Sequence, residues 1–460
     1  MSVVQKIWNS GRKHILNSIL FLLSIIFVVI ILSFDKNYSW QDISGRGIVV
    51  TSCYFVLYMF LYQFRPEILN VVRKTLFIII TILFFVSVTA ICVSLSDQNI
   101  LYIIPFALIP IVIRTFYDAR LALFVLLITI MITGFIVPKP FEFVFLNFLT
   151  GMVAIFSLKN IYRRARLFTS CVFIVLSYSV IFFAISLETS DIDWSSFKWI
   201  AGNGFLILLS YPVIFLFEKK FYFLSDATLL ELSDTNQPLL RRLAREAPGS
   251  FQHSRQVAIL AEEAAGVVDA NVLLVRTGAL YHDIGKIVNA DYFVENQNMG
   301  SSPHKNLDPV KSSAIIINHV NEGVFLARKY KLPVQIIDFI RTHHGTTKTY
   351  FFYKKYLEMN HIKGGDDSDF AYPGPKPFSK EMAIIMMADA VEASSRTLEK
   401  YTEDSINELV ERILIIQEND DQFTDAPLTF KDISDIKSAF KKTLLTIYHS
   451  RIAYPERDSE

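Results

Sequence analysis

The sequence predicts an all-α protein in two halves: a polytopic transmembrane helical domain of about eight spans, then an all-helical cytoplasmic domain. Three observations predict it. The 460 residues are 52% hydrophobic and include 39 Phe, well above a soluble average. The charge is divided: residues 1–220 carry 18 Lys/Arg and 10 Asp/Glu (+8), residues 221–460 carry 27 and 34 (−7), and together they give the net +1 of the chain. No stretch of the second half alternates with the period of two that a strand requires. A net charge of +1 also gives no electrostatic case for a nucleic-acid polymer as partner.

The first apolar run, 15–34, matches the roughly 20 residues of helix that a bilayer core needs. It ends in SFDKNYSW and not in a small-residue cleavage site, so it reads as a retained helix. Seven more runs follow at 48–64, 75–95, 99–113, 121–137, 141–158, 167–187 and 199–217. The run 99–113 is short and carries Pro105 and Pro110. With the N-terminus inside, fourteen basic residues fall on inner segments, among them Lys6, Arg12, Lys13, Lys159, Arg163, Arg164 and Arg166, against four outside: Lys36, Arg46, Lys139 and Lys198. This positive-inside bias predicts cytoplasmic N- and C-termini in the inner (cytoplasmic) membrane. The longest outer loops contain only 35–47 and 188–198. No ionisable residue sits in the middle of a run, which argues against an ion or proton path. The membrane half, with lipid as its partner, is an anchor or a sensor. Cys53, Cys92 and Cys171 all lie in apolar runs and form no disulfide framework.

The predicted boundaries are 1–217 for the membrane domain, 218–249 for a linker, 250–450 for the cytoplasmic domain and 451–460 for a tail. In the linker, Pro238 divides two short amphipathic helices, and Pro248-Gly249 ends the second. The linker reads as a coupling element or as a plain spacer. Helices are then expected at 251–268, 271–282 with Asn271 as N-cap, 308–330 with Pro309 in the first turn, 333–344, 381–399, 404–418 and 430–448. The insertion 346–377, polar and aromatic and ending in YPGPKP, reads as irregular.

The stretch TGALYHDIGKI holds the adjacent pair His282 and Asp283 at the end of an apolar helix. Imidazole and carboxylate side by side can ligate one divalent metal. His253, His319, His343, His344 and Asp389 also stand on or at the ends of predicted helices. Asp389 lies in an apolar run, AIIMMADAVEA, where an unpaired carboxylate would be costly. His14, His304, His361 and His449 fit no such pattern.

The order His253, His282-Asp283, His319, His343-His344, Asp389 resembles the HD superfamily of metal-dependent phosphohydrolases. LLELSDTNQPLLRRLAREAPGSFQHS, HDIGKI, HHGTT, YPGPKP and MMADAVEASSR are similar to the seven-transmembrane HD family of PgpH type, which are cyclic di-AMP phosphodiesterases. The resemblance implies that the cytoplasmic half is an HD domain binding two metal ions. His253, His282, Asp283 and Asp389 would hold one, and Asp283, His319, His343 and His344 the other, with Asp283 bridging. Two divalent ions can lower the pKa of a shared water and clamp phosphate oxygens. The donor set suits manganese or iron and does not exclude zinc. The implied reaction is hydrolysis of cyclic di-AMP to linear pApA, with Asp283 and Lys286 in catalytic roles. Alternatives are another nucleotide substrate, or a non-catalytic nucleotide-binding membrane receptor, for which seven ligating side chains are superfluous.

Substrate contacts are expected from Lys286, Lys305, Thr346, Thr347 and Tyr350, each with a plainer alternative: a solvated lysine, a turn cap, packing of the insertion. A second copy of the chain is one further partner option. Two departures from the family stand out. Members usually carry a large extracellular domain after the first helix, where this chain has only 35–47. The paired histidines are followed by Gly345-Thr346-Thr347, without the GYP signature of cyclic di-GMP hydrolases.

Overall fold

A computed structural model describes residues 3–33, 38–95, 97–158, 164–188, 193–297 and 302–449. Lys36, Lys159, Arg163, the side chains of Lys6, Arg12, Lys13, Arg164 and Arg166, and the tail 451–460 lie outside the described residues. The chain divides into two compact units, Met1–Ala227 and Thr228–Glu460.

The first unit contains α1 (Val3–Ser33), α2 (Trp40–Phe64), the one-turn α3 (Pro66–Leu69), α4 (Val72–Val93), α5 (Leu108–Phe116), α6 (Ala119–Thr133), α7 (Pro140–Ser157), α8 (Arg164–Glu188), α9 (Ser196–Leu208) and α10 (Ser210–Phe221). Each of the eight predicted runs contains helix, but among the described residues not every run is one continuous span. Six segments among the described residues are long and apolar enough to cross a membrane: His14–Ser33, Trp40–Phe64, Val72–Val93, Asn99–Phe116, Pro140–Ser157 and Phe168–Glu188. The run 99–113 is a 3-10 turn, Gln98–Ile103, followed by α5, because Pro105 has no N–H to continue a helix. The run 199–217 is α9 and α10 meeting at 42°, a seventh span if taken together. Pro212, in the first turn of α10, cannot bond back to the Leu208 carbonyl, which accounts for the break. The remaining run, 121–137, contains α6, which has 15 residues. This is a multi-pass membrane unit.

Several of its buried hydroxyls are satisfied within their own helices, as a medium without water favours. The hydroxyls of Thr81, Thr89, Thr129 and Thr150 donate to carbonyls four residues earlier at 2.7–2.9 Å. Asp118 caps α6 through Leu121 N–H at 2.9 Å and pairs with Arg65.

The second unit is helical, and among the described residues it contains no strand. α11 (Asp226–Leu232) crosses the boundary between units in sequence, and α12 (Pro238–Glu246) follows, with Pro238 in its first turn. Pro248 and Gly249 begin the next helix, α13 (Pro248–Val267), where termination alone was expected: proline suits a first turn, since its missing N–H would be unbonded there anyway. α14 (Val272–Tyr281) is capped by Asn271, whose side chain accepts from Leu274 N–H at 2.9 Å. A 3-10 segment, Ile284–Tyr292, replaces regular helix after Asp283. Then come α15 (Pro309–Lys329), capped by Asp308, and α16 (Val334–Thr342).

The insertion 346–377 is not irregular throughout. It folds α17 (Tyr350–Asn360), and an antiparallel bridge joins Lys348 to Ala371. Tyr353 and Tyr356 pack on the buried Phe370, and Phe352 on His304. α18 (Lys380–Ser395), α19 (Glu403–Asn419) and α20 (Phe430–His449) complete the unit. α13 and α14 pack side by side, and α18 lies against both, which brings three helix faces to one centre.

Candidate metal centre

Seven side chains from five helices converge. His253 comes from α13, His282 and Asp283 from the end of α14, His319 from α15, His343 and His344 from the end of α16, and Asp389 from α18. All are buried except His344, whose side chain is 26% exposed at the mouth. Three overlapping groups could each hold a cation: His253, His282 and Asp389; His282, Asp283 and His343; His319, His343 and His344.

The local fold sets which ring nitrogen faces inward. Nδ1 of His282 donates to Ala279 O at 2.7 Å, that of His319 to Ile316 O at 2.5 Å, and that of His343 to Ile340 O at 2.9 Å. A carbonyl only accepts, so Nδ1 carries the proton and the Nε2 lone pair points into the site. His253 Nδ1 bonds Glu392 Oε2 at 2.5 Å, and Glu392 is gripped by Arg396 at 2.6 and 2.9 Å.

The inward atoms fit a cation. Nε2 of His319 and His343 face each other at 3.2 Å, two lone pairs with no proton between them in this tautomer. Nε2 of His282 and both carboxylate oxygens of Asp283 are buried without a hydrogen-bond partner of good geometry. Such groups are costly unless something satisfies them. Asp283 is two-faced. Its Oδ2 looks at His253 (3.6 Å) and His282 (3.3 Å), and its Oδ1 at His319 (3.4 Å) and His343 (3.6 Å). Asp389 Oδ1 lies 2.8 Å from His253 Nε2, and its Oδ2 lies 3.8 Å from His344 Nδ1.

The electrostatics agree. Burial works against both charged carboxylates, yet Lys286 and His282 hold Asp283, and His253 and His282 hold Asp389, well below the usual range. Burial pushes His319 down to about 3 and depresses His344 strongly, which leaves neutral rings fit to ligate. Burial also works against charge on His282, but Asp283 and Asp389 push it up to about 10. That corner favours a positive charge, which a proton or a metal can supply.

Lys286 is not a solvated surface lysine. Its ammonium lies 2.7 Å from Asp283 Oδ2 and 2.8 Å from Glu295 Oε1. It lines a cleft of about 370 Å³ together with His253, His343, His344 and Asp389. Thr347 also lines it, while its hydroxyl donates to His344 O at 2.7 Å and so caps the turn. Thr346 is engaged through its N–H with Gln422 at 3.0 Å. Lys305 and Tyr350 are exposed and stand outside the lining of this cleft. Lys348 pairs with Asp367.

Sequence reasoning missed Glu392, Arg396 and Glu295. Glu392 and Arg396 follow Asp389 at the three- and seven-residue spacing of one helix face, a usable signal. Glu295 sits in a 3-10 turn with no periodicity to betray it. Supporting partners of this kind typically account for about 10–100-fold in metal affinity. Glu392→Ala is therefore expected to weaken Mn²⁺ binding by about that factor, measured by calorimetric titration. An unchanged affinity would detach Glu392 from the centre.

Comparison with known proteins follows the same division. Residues 40–225 match the family described as a 7TM receptor with intracellular HD hydrolase, and residues 250–394 match the HD domain. The chain is 34% identical over 415 residues to the cyclic-di-AMP phosphodiesterase PgpH of Bacillus subtilis, covering 86% of this chain and 58% of that one. It is 32% identical over 436 residues to PgpH of Listeria monocytogenes, covering 92% and 60%. The chain thus spans about three fifths of the length of these relatives. The crystal structure of the L. monocytogenes PgpH HD domain is 42% identical, with a TM-score of 0.45, covering 46% of this chain and 100% of that one. The membrane-unit match and the HD match follow one another in the order that the first family's description gives, a 7TM part and then an HD hydrolase.

Proposed function

We propose that the protein is a membrane-embedded, metal-dependent phosphodiesterase that hydrolyses cyclic di-AMP to linear pApA. Asp283 carries this reading: a buried carboxylate whose two oxygens look at two histidine sets is suited to bridge a pair of cations. The similarity to two proteins named cyclic-di-AMP phosphodiesterase supports the substrate. His253, His282, Asp283 and Asp389 would hold one ion, and Asp283, His319, His343 and His344 the other. Two such ions, manganese or iron by donor chemistry, supply an acidified water and charge on the phosphate oxygens. Lys286, at the cleft wall, is placed to meet charge developing on phosphorus oxygens. Buried Nδ1 bonds keep the imidazoles aimed while substrate enters.

The test is the purified full chain in detergent with Mn²⁺, offered cyclic di-AMP, cyclic di-GMP and a simple aryl phosphodiester. Cyclic di-AMP is expected to give the highest kcat/KM, with pApA as product. Turnover of the aryl diester alone would point to another nucleotide. Binding of cyclic di-AMP by the metal-loaded chain without turnover would point to a receptor.

The basic residues described above favour an inner-membrane protein with both termini in the cytoplasm. A reporter fused after Glu460 is expected to be active in the cytoplasm. Activity confined to the opposite side would reverse the orientation.

A further inference from the structure

The first turn of α13 is tied to the metal centre by a continuous run of polar contacts. Ser250 N–H donates to Asn296 Oδ1 at 3.1 Å, and Asn296 Nδ2 donates back to Ser250 Oγ at 2.9 Å. The Ser250 hydroxyl donates to Glu295 Oε1 at 2.8 Å. The same oxygen accepts from Lys286 Nζ at 2.8 Å, and that ammonium lies 2.7 Å from Asp283 Oδ2. The approach is close at backbone level too: a Cβ on Gly249 would stand 1.9 Å from the Glu295 carbonyl oxygen.

Asp283 Oδ2 is the oxygen that faces His253 and His282. An ammonium there competes with any cation entering that corner, because two positive charges would share one oxygen and repel. Glu295 offers the ammonium a second place to rest. We infer that Glu295 is a positioning residue: it draws Lys286 off Asp283 as a divalent cation binds. Through Ser250 it makes this exchange depend on the first turn of α13, which follows directly on the linker helix α12. The inference rests on reading the His/Asp cluster as a metal site, and it is independent of the substrate.

The experiment is Mn²⁺ titration of the full chain in detergent, read by calorimetry and by the spin resonance of free Mn²⁺, with thermal melting as the folding control. Glu295→Gln keeps the shape and removes the charge that holds Lys286. It is expected to raise the Mn²⁺ Kd about tenfold, as supporting partners of a metal site do. In a Lys286→Gln background, where no ammonium needs holding, the same change is expected to matter less than about twofold, the signature of coupling through Lys286. Ser250→Ala, the milder variant should Glu295→Gln fail to fold, is expected to raise Kd about threefold in the native background and not in Lys286→Gln. Equal shifts in both backgrounds, or none in either, would overturn the inference. A wild-type chain that takes up no Mn²⁺ would overturn the metal reading as well, whereas normal uptake with an unaffected Glu295→Gln variant overturns only the role of Glu295.

Discussion

Asp283→Ala is expected to reduce turnover by about a thousandfold or more and to leave the protein short of metal. Supporting partners of a metal site already account for about 10–100-fold, and Asp283 stands inside that shell. Its two oxygens are 3.3–3.6 Å from four different imidazole nitrogens. Asp389 also faces both sets, but less evenly: it meets one imidazole of the second set, at 3.8 Å, where Asp283 meets two. One of its oxygens is near His253 and the other nearest His344. The substitution also leaves the Lys286 ammonium with Glu295 alone, in a place where burial disfavours charge. The measurements are kcat for cyclic di-AMP and metal per chain by elemental analysis on the same sample. A folded variant with full metal and a near-normal rate would refute a bridging role.

The second large effect is expected at Gly285→Ala, which removes no ligating group. A Cβ there would sit 1.8 Å from the His319 carbonyl oxygen and 2.5 Å from Gly323 N. Both are backbone atoms of α15, so no rotamer change relieves the clash. The helix must move away from the turn that carries Asp283, and the 3.4 Å approach of His319 to Asp283 must open. Overpacking of this kind costs about 3 kcal/mol at its upper end. For a unit of this size that is roughly a 10 °C fall in Tm, accompanied by loss of metal. Gly323→Ala is milder: its Cβ would meet the Ile340 Cγ2 methyl at 2.8 Å, a side-chain atom that can shift. Equal and small effects at both positions would mean that the turn and α15 are not held in fixed register.

The difference between these two glycines is invisible in the sequence, and it marks what reading the residues alone can do. The helices of the second unit were legible because their caps and first-turn prolines are local: Asn271, Asp308 and Pro309 announce themselves within one turn. The seven converging side chains were legible from motif order, and they do converge. Pro248 was misread as a stop because a proline beyond one helix and a proline opening the next look alike in one dimension. Helix α17 was hidden by the Gly, Asp and Pro residues that follow it, and three of its aromatics, Phe352, Tyr353 and Tyr356, are spent on His304 and Phe370. Lys286 and Glu295 find each other across a 3-10 segment whose path carries no periodic signal. The membrane spans were legible by composition, while their breaks depended on at which proline the helix could do without an N–H donor.

The imidazole bonds to backbone have one more consequence. Ala279 and Ile340 belong to the last turns of α14 and α16, where carbonyls lack an amide four residues on. His282 and His343 supply that missing donor from their own side chains. The ends of these two helices are therefore finished by the groups that aim at the centre. Losing either ring frays a helix as well as vacating a coordination position, so folding and chemistry fail together there. His319, bonded in mid-helix, is where the two can be separated.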